Sequence, residues 1–545
     1  MIHADVHTVS VFREHVRINP ASADAWFNLG KALTDAGAYG DAVLAYRRAA
    51  AIDPADAAVH YNLGNTLRLA GDTTAAIEAY RTAAIYDAGN PAVHANLGSA
   101  LESAGDVRGA VEAYRTALLH DPHSPEALNN LGGALRSLGL LQQAEEACRT
   151  AVDAMPDAPH AWYNLAGILA ERGTMEEAEP AYHRALQLQP DFPEAMVNLA
   201  GVLQELGRPD EAIALLRRAI ALRPMFAEAH YNLGLTLLQS AAWPEGWREF
   251  EWRHATGEGR LPVRSPELPA WDGVARRDET ILVRAEQGFG DTVQCARFLP
   301  LLAARGMRVV LECRKELFPL FEGWAGSVAL ITPDGPHIRA DHAVPMFSLP
   351  MMFDVTAVKV PASVPYISAP QDRRAFWRSR VRSSGETFHV GLVPSGNPAH
   401  KNDRNRSVPL TGLSSLFASP GVRWHTLLSG SDERTHQVPS GTVVNHHGDG
   451  IRDFGDTAAI LEALDLLISV DTAAAHVAGA LARPVWVLLP FNADWRWLRT
   501  REDSPWYPGM RLFRQSRRGD WTGVVNRVHE SLHRLRAAET RGGTR

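Results

Sequence analysis

The sequence predicts a chain in two parts, an all-α repeat array followed by an α/β region with parallel sheets. Three observations carry this. Asn-Leu-Gly or Asn-Leu-Ala recurs at Asn28, Asn62, Asn96, Asn130, Asn164, Asn198 and Asn232, 34 residues apart each time. From about residue 280 onward, short apolar runs alternate with helical patterns, the mark of parallel βαβ units. At the start of that region the apolar run Ile281-Leu282-Val283 enters a turn with Gly288 and Gly290, then Asp291 and a helical apolar pattern.

At 545 residues the chain exceeds one hydrophobic core, so roughly two to four domains are expected. It is 46% hydrophobic and 21% charged with a net charge of −7, which argues against a general nucleic-acid binder. Cys148, Cys295 and Cys313 are widely spaced and odd in number, giving neither a disulfide framework nor a zinc spacing. The N-terminal residues show no basic segment followed by an apolar run, and no 18-residue apolar stretch occurs. The expectation is a cytoplasmic protein without a membrane span.

Each repeat unit carries a turn glycine (Gly37, Gly71, Gly105, Gly139, Gly173, Gly207). An Ala-x-x-x-Tyr pattern follows in Ala42/Tyr46, Ala76/Tyr80, Ala110/Tyr114 and Ala178/Tyr182. Proline at the unit end (Pro54, Pro122, Pro156, Pro190, Pro224) stops the second helix. With these features the array resembles the tetratricopeptide repeat, in about seven units over residues 1–256. No unit buries its face alone; the stack does.

The seventh unit departs from the pattern with Trp243, Trp247 and Trp252. They read as a cap that docks the array onto the next domain, in preference to a ligand cage. The repeated asparagines have two readings. Each amide bonds a neighbouring unit, or the ladder grips the main chain of an extended peptide, since an amide is both donor and acceptor. The array resembles that of the O-GlcNAc transferases, whose asparagine ladder implies peptide binding by Asn28, Asn62, Asn96, Asn130, Asn164, Asn198 and Asn232.

Residues 257–279 read as a linker, rich in Gly, Pro and charge, with Trp271 as its anchor. Strands are expected at about 280–285, 307–312, 328–331 and 342–346, with helices at 291–304 and 315–323. They make one Rossmann-like half over residues 280–370. A connecting helix (371–386) leads to a second half (387–515), with strands at 388–393, 423–428, 466–470 and 485–489 and helices at 456–465 and 472–482. Two such halves with a cleft between them describe the GT-B architecture. A final helix within 516–545, around Trp521 to Ala537, is expected to pack back on the first half.

Three loops at strand ends are placed to face that cleft. The first holds Glu286, Gln287, Gly288, Gly290, Asp291 and Thr292. Asp291 with Gln294 makes a capping-box-like pair, and the same carboxylate is a candidate general base; Glu286 competes for that role. The second holds Ser395, Gly396, Asn397, Lys401, Arg404 and Arg406, either a solvated loop or a diphosphate cradle. In the third, Asp471 ends a strand and caps a small-residue helix, with Thr472, Ala473 and His476 following. Its N-terminus suits a phosphate, and Thr472 and His476 share one face.

Over residues 280–515 the second half resembles glycosyltransferase family 9, the heptosyltransferase family. The Gly-Asp-Thr at 290–292 and the Asp-Thr-x-x-x-His at 471–476 carry the likeness. The resemblance implies a GT-B fold, a nucleotide-sugar donor and no essential metal. It also implies that Asp291 is the base, Arg406 a phosphate ligand, and Asp471, Thr472 and His476 the donor loop. Ala473 stands where the family commonly has Gly. The combination with repeats looks like bacterial repeat-fused glycosyltransferases.

The leading expectation is an inverting, metal-independent glycosyltransferase. A nucleotide-sugar binds through Gln287, Gly288, Gly290, Thr292 and the second and third loops, and the repeats present a protein or glycan acceptor. The alternative is a non-catalytic repeat scaffold with a degenerate α/β half. A hydride-transferring enzyme is a poor third, because Gly288-x-Gly290 lacks the third glycine of the dinucleotide fingerprint.

Overall fold

The computed structural model describes residues 2–257, 268–336, 338–361, 364–383, 388–398, 402–428, 432, 438 and 442–542. The chain divides into two compact units, Met1–Val202 and Leu203–Arg545. Among the described residues, fourteen helices from Ala23–Asp35 to Trp243–Phe250 form the repeats, preceded by a helix Ile2–Ile18.

In the first unit, local chemistry repeats with the 34-residue period. The side chains of Ser22, Asp56, Asn90 and Ser124 cap the first helix of successive pairs by accepting from its early N–H groups. Gly37, Gly71, Gly105, Gly139 and Gly173 each take a positive φ between the helices of a pair. The paired helices then approach closely. A Cβ on Gly64 would lie 2.7 Å from the Tyr80 ring, and one on Gly98 2.6 Å from the Tyr114 ring. Tyr46, Tyr80, Tyr114 and Tyr182 are buried in that column, and Cys148 takes the place of the tyrosine against Gly132.

The second unit opens with the repeat helices Pro209–Leu222, Ala227–Gln239 and Trp243–Phe250. Trp243 stacks on Trp506 with centroids 5.3 Å apart, and the Trp247 indole donates to the Val355 carbonyl at 3.0 Å. Both belong to the main core of the α/β region, as does Trp271. Trp252 instead stacks on His230, 4.1 Å between centroids.

Ten strands follow among the described residues: β1 Thr280–Arg284, β2 Arg308–Glu312, β3 Val328–Ile331, β4 His342–Pro345, β5 Phe388–Val393, β6 Val422–Thr426, β7 Val444–His446, β8 Leu466–Val470, β9 Val485–Leu489 and β10 Met510–Arg514. They form two wholly parallel sheets, ordered β3-β2-β1-β4 and β10-β9-β8-β5-β6-β7. The inner strands β5 and β8 and their neighbour β9 are buried on both faces, which is why they read as continuous apolar runs. In β9, Val485, Val487 and Leu489 enter the main core while Trp486 and Leu488 enter a second one.

The structure corrects several expectations. The helix expected over 291–304 begins earlier and breaks into Phe289–Cys295, a 3-10 turn and Leu299–Ala304, with Pro300 at the restart. The stretch 315–323 is a 3-10 helix, Lys315–Trp324, containing Pro319. Strands β7 and β10 are additional. The final helix, Trp521–Gly542, does not pack on the first half; Val524, Val525, Val528 and Leu532 complete the core beneath β5, β6 and β8. What packs on the first half is the segment after β9, through Trp495, Trp497, Trp506 and Tyr507.

Candidate functional site

Each sheet reverses its winding once. In the six-stranded sheet β5, β6 and β7 run one way and β8, β9 and β10 the other, so the reversal lies between β5 and β8. In the four-stranded sheet it lies between β1 and β4. A crevice opens outside the carboxyl ends of strands at such a point.

The β1–β4 crevice is filled from within. Glu286 is 2% exposed and accepts from Arg253 Nε at 3.0 Å, Arg253 Nη2 at 3.1 Å and the Phe347 N–H at 3.0 Å. Arg253, itself fully buried, also donates to Glu251 and Ser348. This is an internal ion pair whose hydrogen-bonding capacity is spent on the protein. The Glu286 side chain is 1% exposed, whereas that of Asp291 is 21% exposed, so Glu286 is the less accessible of the two candidates.

The loop after β1 then turns back. Gln287 adopts φ +59°, a left-handed conformation rare outside glycine. Gly288, not Asp291, is the helix N-cap; Asp291 is the third helical residue, and its Oδ2 accepts from the Gly288 N–H at 2.7 Å. The box is closed from Asp291 back to the cap, so Gln294 plays no part in it. The Thr292 hydroxyl donates to the Gly288 carbonyl at 3.2 Å, which makes it a brace of the turn. Asp291 Oδ1 accepts from Nη2 of Arg496, 205 residues along the chain.

Arg496 is 5% exposed and is the centre of the site. Its Nε donates to Gln294 Oε1 at 2.5 Å and its Nη1 to Asp494 Oδ1 at 2.7 Å. Its guanidinium lies 4.4 Å from the Trp495 ring centroid.

The third loop meets the first. The helix Ala473–Ala480 packs against Phe289–Cys295. A Cβ on Gly290 would lie 2.7 Å from His476 Cδ2 and 3.3 Å from Ala473 Cα, so glycine is needed for the approach. Thr472, not Asp471, is the N-cap of this helix, without a side-chain capping bond; its hydroxyl pairs with Ser469 Oγ at 2.9 Å. His476 is 4% exposed; its Nδ1 is 3.0 Å from the Tyr507 hydroxyl and its Nε2 3.7 Å from Asp471 Oδ1. Burial works against ionised Asp471, but His476, Trp497 and Arg496 together outweigh it and hold the carboxyl below the usual range. His476 thus sits as a buried partner of Asp471, not as an open ligand contact.

The second loop leaves β5 beside the third, because Val393 pairs with Ser469. The Gly396 N–H donates to Ser407 Oγ at 3.2 Å. A Cβ on Gly396 would lie 2.5 Å from Arg406 Nη2 and 2.6 Å from Asp403 Oδ1, so Arg406 folds over the turn. Ser395 is half-buried, and Asn397 and Arg404 are exposed on the same loop. Lys401 lies outside the described residues.

The asparagine column has local partners. Asn96 Nδ2 donates to the Tyr61 hydroxyl at 2.9 Å and to Asn65 Oδ1 at 3.0 Å. Asn164 Nδ2 donates to Asn129 Oδ1 at 2.8 Å, and Asn198 Nδ2 to the Tyr163 hydroxyl at 3.0 Å. Asn62 Nδ2 turns to the Ala58 carbonyl of its own helix. Asn130 and Asn232 are half-buried and Asn28 is exposed. Amides at Asn96, Asn164 and Asn198 thus bond side chains of the preceding unit.

Sequence reasoning missed Arg253, Asp494, Arg496 and Tyr507. None carries a local signal of a site; each acts through a partner distant in sequence.

Comparison with known proteins agrees with the repeats. Residues 95–159, 169–233 and 57–87 match families described as tetratricopeptide repeat, and residues 30–69 one described as TPR repeat. Residues 30–233 are tetratricopeptide repeats, and a region of parallel sheets and helices follows them. Protein FlbA of Caulobacter vibrioides is 26% identical over 317 residues, 54% of this chain and 53% of that protein. The chain thus spans about half the length of that curated relative. Among solved structures, a tetratricopeptide repeat protein from Parabacteroides merdae is 20% identical over 43% of this chain and 93% of its own, with a TM-score of 0.38. PilF of Pseudomonas aeruginosa is 22% identical over 38% and 94%, with a TM-score of 0.35.

Proposed function

We propose that the α/β region is a GT-B glycosyltransferase resembling family 9, which moves a sugar from a nucleotide-sugar to an acceptor hydroxyl. The observation that supports this best is the switch point between β5 and β8. Its two loops offer the Gly396 turn with Arg406 and a helix N-terminus at Thr472 without a side-chain cap. A cation and a helix N-terminus there suit a diphosphate. Asp291, on the facing half, takes the acceptor proton, and the sugar is transferred with inversion. The tetratricopeptide repeats recruit the acceptor or a partner protein.

The test is a thermal-unfolding series of the full chain with UDP-, GDP-, ADP- and TDP-sugars. At least one donor raises the midpoint, and Arg406→Ala abolishes the rise. No shift with any donor counts against the reading.

A second reading has its own observation. Both Asp291 oxygens accept from protein donors and His476 is 4% exposed, which suits a scaffold whose α/β half does not turn over donor. It predicts partner capture by the repeats with no glycosylated product.

A further inference from the structure

The loop 490–499 after β9 joins two places that are far apart in sequence. One end grips the last repeat helices of the second unit. Gln239, 6% exposed on the helix Ala227–Gln239, donates from Nε2 to Asn492 Oδ1 at 2.7 Å and to the Ala493 carbonyl at 2.6 Å. Its Oε1 accepts from Arg499 at 3.2 Å. Asn492 Nδ2 donates onward to Glu205 at 2.7 Å. A Cβ on Gly207 would lie 3.0 Å from the Phe491 ring, so the loop also packs on that turn.

The other end holds the candidate base. Three residues beyond Ala493, Arg496 reaches Asp291 and Gln294. Between them Trp495 packs edge-on against Trp247 of the last repeat helix, 5.1 Å between centroids. The exit is fixed as well: Leu498 sits at φ +52°, and Arg514 donates to the carbonyls of Trp497 at 2.9 Å and Leu498 at 2.7 Å. A non-glycine residue in that conformation persists only where its surroundings impose it.

We propose that this loop is a positioning device: Arg496 orients the Asp291 carboxylate, and Gln239 on the last repeat hairpin fixes where Arg496 stands. The inference rests on the glycosyltransferase reading for its consequence, but not for its geometry. Arg496 donates to Asp291 Oδ1 and the Gly288 N–H to Oδ2, so the two donors hold one carboxylate orientation. A guanidinium forked between Gln294, Asp494 and Asp291 cannot be matched by an ammonium. Release of the Gln239 anchor lets the loop shift as a segment and carries Arg496 with it. The repeat hairpin that Gln239 belongs to is thereby wired to the chemistry of the α/β region.

The experiment is amide hydrogen exchange on the full chain, with turnover measured in parallel. Gln239→Ala speeds exchange of the Gly288 N–H and the helix Phe289–Cys295 by about tenfold, the loss of roughly one hydrogen bond's protection, and leaves β8 unchanged. Arg496→Lys does the same without loosening Gln239's own helix. Where wild type turns over a nucleotide-sugar, Gln239→Ala lowers kcat with KM unchanged. If Gln239→Ala does not fold, Asn492→Ala, which keeps the Gln239 bond to the Ala493 carbonyl, takes its place. Faster exchange confined to 490–499, with residues 288–295 as in wild type, overturns the proposal. Wild type that turns over no donor counts against the glycosyltransferase reading alone, and the exchange result still decides the positioning claim.

Discussion

Gly290 lies directly against His476, where a Cβ would come within 2.7 Å of the imidazole Cδ2. This contact joins the first helix of one sheet's half to the helix after β8 in the other. Gly290→Ala therefore forces apart two helices whose register sets the site. Overpacking of this kind costs about 1–3 kcal/mol. Urea unfolding followed by tryptophan fluorescence should show a lower midpoint for Gly290→Ala. An unchanged midpoint would mean that the two halves separate at this point without cost.

Arg253 and Glu286 form a buried ion pair that carries no chemistry. Removing the cation leaves an uncompensated carboxylate, a loss of about 3–5 kcal/mol. Arg253→Met should lower the thermal midpoint strongly, and the double change Arg253→Met with Glu286→Leu should recover much of it. Recovery is expected because a packed apolar pair replaces two desolvated charges. A double variant no better than the single one would show that Glu286 is needed for its bond to the Phe347 N–H.

How much of this was legible beforehand follows from the kind of interaction. The repeats show in the sequence because their contacts are local and recur: Gly64 meets Tyr80 within one unit, as Gly30 meets Tyr46 and Gly98 meets Tyr114. The strands β1, β5, β8 and β9 show because both faces are buried. Strand β7, Val444–His446, is three residues long and partly polar, so no apolar run announces it. The site itself was half visible. Asp291 and Asp471 stand out by their turns, but the pairing of Asp291 with Arg496 joins residues 205 apart, and a single sequence gives no sign of such a pair. The capping role went to Gly288 and Thr472 because each helix starts where the backbone leaves the turn; Gly, Thr and Asp are all common N-caps, so composition does not choose between such near neighbours.

Three histidines form a buried ladder across β5, β6 and the end of β7. His389 Nδ1 is 3.0 Å from His425 Nε2, and His425 Nδ1 is 2.9 Å from His447 Nε2. Burial, with His447, His389, Arg423 and Arg382 nearby, lowers the His425 pKa to about 3; burial, Arg380 and His446 lower that of His447 to about 4. An unfolded histidine titrates near 6.5, so below about that pH the unfolded chain takes up protons that the folded chain refuses. The stability contributed by the neutral ladder is complete above about pH 6.5 and is lost progressively as pH falls toward these lowered values. Urea midpoints measured between about pH 7.5 and 4.5 should fall for wild type. His425→Gln should flatten part of that slope, and an unchanged slope would place the titration elsewhere.

Asn96 bridges two repeat units through Tyr61 and Asn65. Asn96→Ala should cost about 1 kcal/mol of stability, because the Tyr61 and Asn65 side chains lose a donor. Urea titration of the full chain measures it. If stability is unaffected while capture of partner proteins is lost, the column serves recognition and not the stack.

The central claim is that Asp291 removes the acceptor proton in a nucleotide-sugar-dependent transfer. The most direct measurement is the rate at which the purified full chain consumes nucleotide-sugars from a panel, wild type beside Asp291→Asn. The account predicts consumption of at least one donor by wild type and a loss of at least about a hundredfold in Asp291→Asn, the scale of a general base. Donor binding should be retained in the variant. Full activity in Asp291→Asn, or no consumption of any donor by wild type, would contradict it.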